Sequence, residues 1–373
     1  MRLEVVELRD FRSYAQATAK VGQGITVVYG PNGAGKSNLL EAVCFGCTGR
    51  SPRTRNEREL IRFGCSAARV ELDLRDDRGE AHRLAIGFGK LGDGGRLEKR
   101  IRYDDAPLAQ IGEVPARPLV SVFVPARLEL VSGAPAIRRA HVDHLVAALW
   151  PARSGDRPDY SRALAQRNAL ISRIRAGAGS TASLRSWDLE LARRAIVLAA
   201  GRRAAVQRIA AGFAERCAEL GLAGSATLEY RAASDADSPE SLRLELEERL
   251  PQDLERGYTT HGPHRDELAL LRDGRHLRVY GSQGERRLSL LSLLLAEREA
   301  IGQARGTPPL MLLDDVMSEL DEHRRRLLVA ELDSGGGQSV IATTELAHVP
   351  GGAADSIALL GVDAAGALVE AAA

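Results

Sequence analysis

Lysine is almost missing from this chain. Of 51 basic residues only Lys20, Lys36, Lys90 and Lys99 are lysines, which leaves 47 arginines. A lysine that survives such a bias stands where a compact ammonium is required and a planar guanidinium does not serve, so Lys36 is singled out before any motif is considered. Cysteine is scarce too: four in 373 residues cannot build a disulfide framework, which points to a reducing compartment. No apolar run approaches the roughly 20 residues that span a bilayer. The start, MRLEVVELRD, also lacks the apolar core of a secretory signal. These absences exclude a membrane span and argue against secretion, and the cytoplasm is the expected address. Nor is disorder the default reading, because 44% hydrophobic and 27% charged residues suffice for two or more cores.

A strong net charge is missing, yet the formal +1 conceals an uneven distribution. Between Arg138 and Arg216 stand 15 arginines against six acids, a local balance of +9 that leaves −8 for the remainder. Such asymmetry fits a region that meets a polyanion. A solvated arginine-rich helical face accounts for it equally well.

RLEVVEL alternates as a half-buried strand does, and GITVVYG, a second strand, runs into a glycine-rich loop and the apolar helix SNLLEAVCFG. RVELDLR, RLAIGF, RLEKRIRY and LVSVFV, between residues 69 and 124, are expected to form a small antiparallel sheet beside them. From Pro135 to about Gly221 the period is helical, broken at Trp150-Pro151, SGDRPD and GAGS. Residues 180–221 are expected as one helix of roughly 60 Å. SATLEYR and a charged helix ending near Pro251 precede a hairpin at Asp273-Gly274. Helix 285–305, PLMLLDD, helix 321–331 and QSVIATT then alternate as βαβ units do. The expected organisation is an α/β head in two halves, 1–125 and 257–373, around a mainly helical insertion, 126–256.

Gly30, Pro31, Asn32, Gly33, Ala34, Gly35, Lys36 and Ser37 match G-x-x-x-x-G-K-[ST] in full, between a predicted strand and a predicted helix that continues with Asn38. In such a loop backbone N–H groups cradle the β-phosphate, Lys36 reaches the β and γ oxygens and Ser37 supplies a Mg²⁺ ligand. The chain is therefore expected to bind ATP with Mg²⁺. PLMLLDD is an apolar strand ending in acids, where α/β sheets bind ligands. Asp314 is expected to hold Mg²⁺, directly or through water, and Asp315 to polarise the attacking water. Lys36 and Asp315 are thus the expected catalytic pair. Ser282, Gln283, Gly284 and Glu285 open an apolar helix 32 residues before Asp314, with Ser282 as its N-cap. Their position resembles the signature loop of ABC-type ATPases, which completes the site of a second subunit. Ser318 and Asp321 in SELD then resemble the D-loop, and Thr343 takes the switch position, where other members carry His.

Together FRSY (11–14), the P-loop, GRSPRT, FVPARLELVSGAPAIRRAHVD (123–143), HGPHRDEL (261–268), GSQGERR and LLDDVMSELDEHRRRLL resemble the RecF family, recombination-mediator ATPases related to the structural-maintenance-of-chromosomes heads. The motifs run from residue 8 to 344. Ala126-Arg127 stands where the family usually shows acids, His141 replaces its usual aromatic, and Glu285 replaces a more typical Gln. Glu285 would put negative charge beside a γ-phosphate, so either it turns away or the contact weakens. The resemblance implies an ABC-type P-loop ATPase head with an antiparallel β subdomain and an inserted helical domain. It further implies a weak, ATP-dependent, DNA-binding ATPase of recombinational and replication-gap repair. Such a protein dimerises around two ATP molecules, recognises duplex beside single-stranded gaps, acts with RecR and RecO to load RecA, and is nucleoid-associated.

Two other functions compete. A transporter nucleotide-binding subunit predicts LSGGQ and a Q-loop glutamine, which the chain lacks; a chromosome-structural head needs long arms, for which 373 residues leave no room. Arg193, Arg194, Arg202 and Arg203 are the expected DNA contacts of the basic helices. Arg50, Arg53, Arg55, Arg58 and Arg62 either meet DNA, sense nucleotide across the dimer or solvate a loop. Cys44 and Cys47 read as core residues, since no second pair completes a zinc site. His261, His264 and Asp266 read as a polar turn rather than a metal site.

Overall fold

The computed structural model describes residues 1–90, 97–115, 117–352, 357–363 and 367–370. The chain begins with strands β1 (Arg2–Phe11), β2 (Tyr14–Lys20) and β3 (Ile25–Tyr29) and helix α1 (Lys36–Thr48). Strands β4 (Ala67–Arg75), β5 (Ala81–Lys90), β6 (Leu97–Tyr103), β7 (Ala106–Leu108) and β8 (Val120–Phe123) follow. Next come helices α2 (Glu129–Ser132), α3 (Pro135–Leu149), α4 (Asp156–Arg175) and α5 (Leu184–Glu219). Strand β9 (Ala226–Arg231), helices α6 (Pro239–Glu248) and α7 (Leu250–Arg256), strands β10 (Glu267–Arg272) and β11 (Arg275–His276), and helices α8 (Leu277–Tyr280) and α9 (Gln283–Arg305) continue the chain. It closes with β12 (Leu310–Asp314), α10 (Glu322–Ser334), β13 (Ser339–Thr343), β14 (Ala358–Val362) and β15 (Leu368–Glu370). No described helix is long and apolar enough to cross a membrane.

Two compact units result: Met1–Leu128 with Glu219–Gly221 and Ile301–Ala373, and Glu129–Ala218 with Leu222–Ala300. In the first, an antiparallel sheet of order β2-β1-β4-β5-β6-β7 and a mainly parallel sheet of order β15-β14-β3-β13-β12-β8 share one core with α1. Alternation in β1, β4 and β5 puts Val6, Leu72 and Leu84 in one cross-strand row, all fully buried. Such apolar cross-strand rows are what stabilise a sheet face. Above them Phe45 of α1 lies 6.1 Å from the Phe11 ring and 4.9 Å from that of Phe88. In β12 and β13 every residue is buried, as strands of a sheet covered on both faces are.

The second unit packs α5 against Tyr160 and Ala163 of α4 and Leu242 and Leu246 of α6 through Leu191, Ala192, Ala195 and Leu198, residues three or four apart on one helical face. The 36 residues of α5 run unbroken through Gly201 and Gly212, about 54 Å of helix. Asp273 and Gly274, at φ +48° and +72°, make the two-residue turn between β10 and β11.

Three expectations give way and one is extended. VSVF, placed above with the antiparallel strands, is β8 and pairs parallel with β12; Ser121, Val122 and Phe123 are all buried, as strands of a doubly covered sheet are. SGDRPD is a break only to Gly155: Asp156 and Asp159 in the first turn favour the positive helix end, and Pro158 is tolerated there. The charged helix ends at Glu248, near Pro251 as expected, but a further helix, α7, follows with Pro251 in its first turn. The second boundary falls after Ala300 instead of 256, since β10 pairs with β9 and carries residues 257–300, the signature segment among them, into the unit expected to be mainly helical.

Candidate functional site

Residues 30–35 connect β3 to α1 through glycines at φ +155° (Gly30), +81° (Gly33) and +114° (Gly35). Only glycine enters this region freely. At Gly35 a Cβ would also lie 2.9 Å from the Tyr14 hydroxyl and 3.0 Å from Ser13 Oγ. The Tyr14 hydroxyl instead donates to the Gly35 carbonyl at 3.1 Å, and burial holds its pKa up at about 12. No side chain caps α1, so its leading N–H groups and positive dipole end are available to an anion. Lys36 Nζ donates to the Gly30 and Pro31 carbonyls at 2.7 and 2.8 Å. Burial lowers its pKa, while the fields of Asp315 and Asp314 pull the other way.

β12 brings Asp314 to this loop from 277 residues away: Ser37 Oγ donates to Asp314 Oδ1 at 2.8 Å. Burial raises the Asp314 pKa and the Ser37 hydrogen bond opposes that rise. Asp315 follows, exposed and at φ +54°, a left-handed backbone that a non-glycine residue holds only where the surroundings enforce it. Ser318 Oγ donates to the Asp315 carbonyl at 2.8 Å, and Asp321 caps α10 by accepting from Arg324 N at 2.9 Å. Thr343 ends β13, the strand between β3 and β12; its buried hydroxyl donates to the Glu345 carbonyl at 3.1 Å.

In the second unit Ser282 and Glu285 form a reciprocal capping box: Glu285 N donates to Ser282 Oγ at 3.3 Å, and Ser282 N to Glu285 Oε2 at 2.7 Å. Glu285 also pairs with Arg272. Its carboxyl pKa is lowered, first by the Ser282 backbone hydrogen bond. Of the two outcomes left open for Glu285, the side chain turns into its own helix cap. Ser282, Gln283 and Gly284 are exposed.

Comparison with known proteins decides the family. A family model described as "RecF/RecN/SMC N terminal domain" matches residues 2–351. The DNA replication and repair protein RecF of Heliobacterium modesticaldum is 35% identical over 93% of both chains. RecF of Anaeromyxobacter sp. (strain Fw109-5) is 36% identical over 92% of this chain and 93% of its own. The chain belongs to the RecF family. A solved RecF–ATP complex, from a recombination mediator of the RecFOR pathway, is 26% identical with a TM-score of 0.84 over 100% of this chain and 98% of its own. An SMC head bound to a winged-helix domain of ScpA, 17% identical over 100% of this chain and 98% of its own, shares the fold at a TM-score of 0.60.

Within this RecF-family chain the expected DNA contacts divide. Arg193 and Arg203 are exposed. Arg194, also exposed, pairs with Glu190 at 2.8 Å and Asp159 at 3.0 Å. Arg202 is withdrawn from the set: it is 1% exposed and gives Asp143 two hydrogen bonds, at 2.7 and 3.0 Å, and the Pro263 carbonyl one at 2.7 Å. Burying a guanidinium demands such full pairing, so it does not reach a phosphate. His261, His264 and Asp266 address different partners: Glu245 at 2.5 Å, the Tyr160 hydroxyl at 2.6 Å, and the Ala233 N–H at 2.8 Å. They form a polar turn. Cys44 and Cys47 are buried and free, with the Cys44 pKa pushed up to about 11 by burial.

One cluster was missed in the sequence. Glu41, buried on α1, accepts two hydrogen bonds from Arg12 at 2.8 and 2.9 Å, one from Ser51 at 2.5 Å and one from Arg53 at 3.2 Å. Arg53 also donates to Asn38 Oδ1 at 3.0 Å, and its field opposes the rise that burial causes in the Asp314 pKa. The signal was an acid inside the apolar run LLEAVCFG, which needs a cationic partner wherever it is buried.

Proposed function

We infer that this chain is an ABC-type ATPase of recombinational DNA repair, a recombination mediator whose ATP cycle switches its grip on DNA. The carrying observation is the meeting of Ser37 and Asp314 at 2.8 Å beside Lys36. Two hard oxygen ligands at that spot fit Mg²⁺, which when bound neutralises phosphate charge. Lys36 and the open N-terminus of α1 hold the β and γ phosphates, and exposed Asp315 orients and polarises the attacking water. Ser282, Gln283 and Gly284 serve the ATP of a second copy, so the active species is a homodimer around two nucleotides. Glu285 stays in its helix cap, paired with Arg272. RecR, RecO and RecA are the protein partners this reading carries over, and duplex beside a single-stranded gap is the DNA. Light scattering tests it. Mass should double with ATP–Mg²⁺, and gapped duplex should bind that dimer better than the nucleotide-free monomer. A monomer under all conditions overturns the reading.

A further inference from the structure

Phe63 is 102% exposed, while the next most exposed large hydrophobic residue among those described, Tyr280, reaches 63%. Its turn enforces this. Cys65 N donates to the Arg62 carbonyl at 3.0 Å and Gly64 has φ +83°. Phe63 itself is not left-handed, so Arg62–Cys65 is a type II turn with Phe63 at its first corner. The base of the turn is stitched to the end of β1: Arg62 N donates to the Asp10 carbonyl at 2.8 Å, Arg12 N to the Leu60 carbonyl at 2.7 Å, and Ile61 bridges Phe11. Leu60 is fully buried beneath it. The ring is held outward on a braced support.

The surroundings say what it meets. Arg50, Arg53, Arg55, Arg58 and Arg62 are all exposed. The two acids of this stretch are occupied within the chain: Glu57 pairs with Lys99 at 2.5 Å and Glu59 accepts from Asn56 at 3.2 Å. Arginine and aromatic residues are enriched at protein hot spots too, so here the excess of one sign of charge decides. The anchor follows five exposed arginines in residues 50–62, of which Arg62 pairs with Asp10 at 3.6 Å and Arg53 with Glu41 at 3.2 Å. This excess of positive charge suits a ligand that is polyanionic and offers flat aromatic faces, as an unpaired stretch of nucleic acid does. Inside a duplex the bases already stack on each other, whereas the base at a gap edge has a free face. Resting on the DNA-repair reading above, we propose that Phe63 stacks on the first unpaired base where duplex gives way to single strand, with Arg55 and Arg62 on the adjoining phosphates. Arg12 ties this loop to the ATP site, since its guanidinium spans Glu41 of α1 and the Glu59 carbonyl, the latter at 2.8 Å.

The test is Phe63→Ala in the full chain, on gapped duplex carrying 2-aminopurine as the first unpaired base and on blunt duplex of equal length. Stacking by one ring is worth about 5- to 150-fold in affinity. The variant should lose that factor on gapped DNA together with the fluorescence change, and keep its affinity for blunt duplex and for ATP. Phe63→Trp should restore both losses. Equal loss on both DNAs, or no loss on either, overturns the stacking role. Loss of ATP-dependent dimerisation with DNA binding intact assigns the ring to the contact between copies and overturns it too. Failure of the unaltered protein to bind any DNA sinks the repair reading itself and this proposal with it.

Discussion

The arginines buried in the second unit and the charged residues around the phosphate-binding loop of the first are handled in opposite ways. In the second, Arg138, Arg167 and Arg202 are 2%, 0% and 1% exposed, and each is closed by carboxylates of the same unit: Glu267, Asp188 with Asp253, and Asp143. In the first, Asp314 and Lys36 are held away from their ordinary pKa values by burial, Ser37 gives Asp314 a hydrogen bond, and Asp315 stands exposed. Identical residue types thus do two jobs. Where the partner is supplied by the chain, the charge locks the fold; where it is not, the charge is left for the phosphate and metal of the function proposed above.

The comparison breaks most visibly at Asp315. Asp315→Asn keeps the side chain's shape at a left-handed position that asparagine tolerates, so ATP should still bind while turnover falls about 10²- to 10⁴-fold, the usual worth of a positioned base. Single-turnover hydrolysis measured beside nucleotide affinity checks this, and unchanged turnover moves the role elsewhere. Next comes Arg167→Ala, which strands Asp188 and Asp253 and should cost about 3–5 kcal/mol in denaturant unfolding. Replacing all three residues by apolar ones of similar volume should recover most of it. A loss under about 1 kcal/mol would mean that the pair does not lock the unit.

His264 sharpens the contrast by pH. Its ring pairs with Tyr160 and with the Thr259 carbonyl, and burial pushes its pKa down to about 4 from 6.5. The neutral ring belongs to the fold and the unfolded chain binds the extra proton. Stability from this residue is therefore full above about pH 6.5 and lost as pH falls toward 4, by at most about 3 kcal/mol. The difference in unfolding free energy between the protein and His264→Gln, followed across that window, should show this slope; parallel profiles would refute it. The smallest effect belongs to Arg193 and Arg203. Replacing both by Ala should leave stability within about 0.5 kcal/mol and make the log–log salt dependence of duplex binding shallower by about 1.8. An unaltered slope leaves these two arginines as solvated surface.

What could be read from residues alone follows the range of the interactions. The P-loop, the Asp314 strand and the Ser282 cap are demands of local backbone geometry, so they must be written in consecutive residues, and they were found there. Arg202 is not legible as a core residue because its pairing with Asp143 joins positions 59 residues apart, and a count of charges over 138–216 contains both partners without showing that they meet. Arg12, Glu41 and Arg53 escaped for the same reason: three segments supply one cluster. The β8 strand was not legible because Val120-Ser121-Val122 alternates as the antiparallel strands do, and only its distant pairing with β12 assigns it to the other sheet.

Glu41 stands five residues after Lys36 on one helix, about 7.5 Å along its axis. That short rigid rod has the nucleotide at one end and, through Arg12 and Arg53, the arginine loop on its flank. Free-energy linkage makes the traffic symmetrical. By whatever factor ATP changes the loop's affinity for a nucleic acid, the nucleic acid changes the affinity for ATP by the same factor. On the proposed reading, gapped DNA is an effector of nucleotide loading as much as a target of the loaded protein; Glu41→Gln should uncouple the two, so that ATP affinity measured with and without gapped DNA becomes equal.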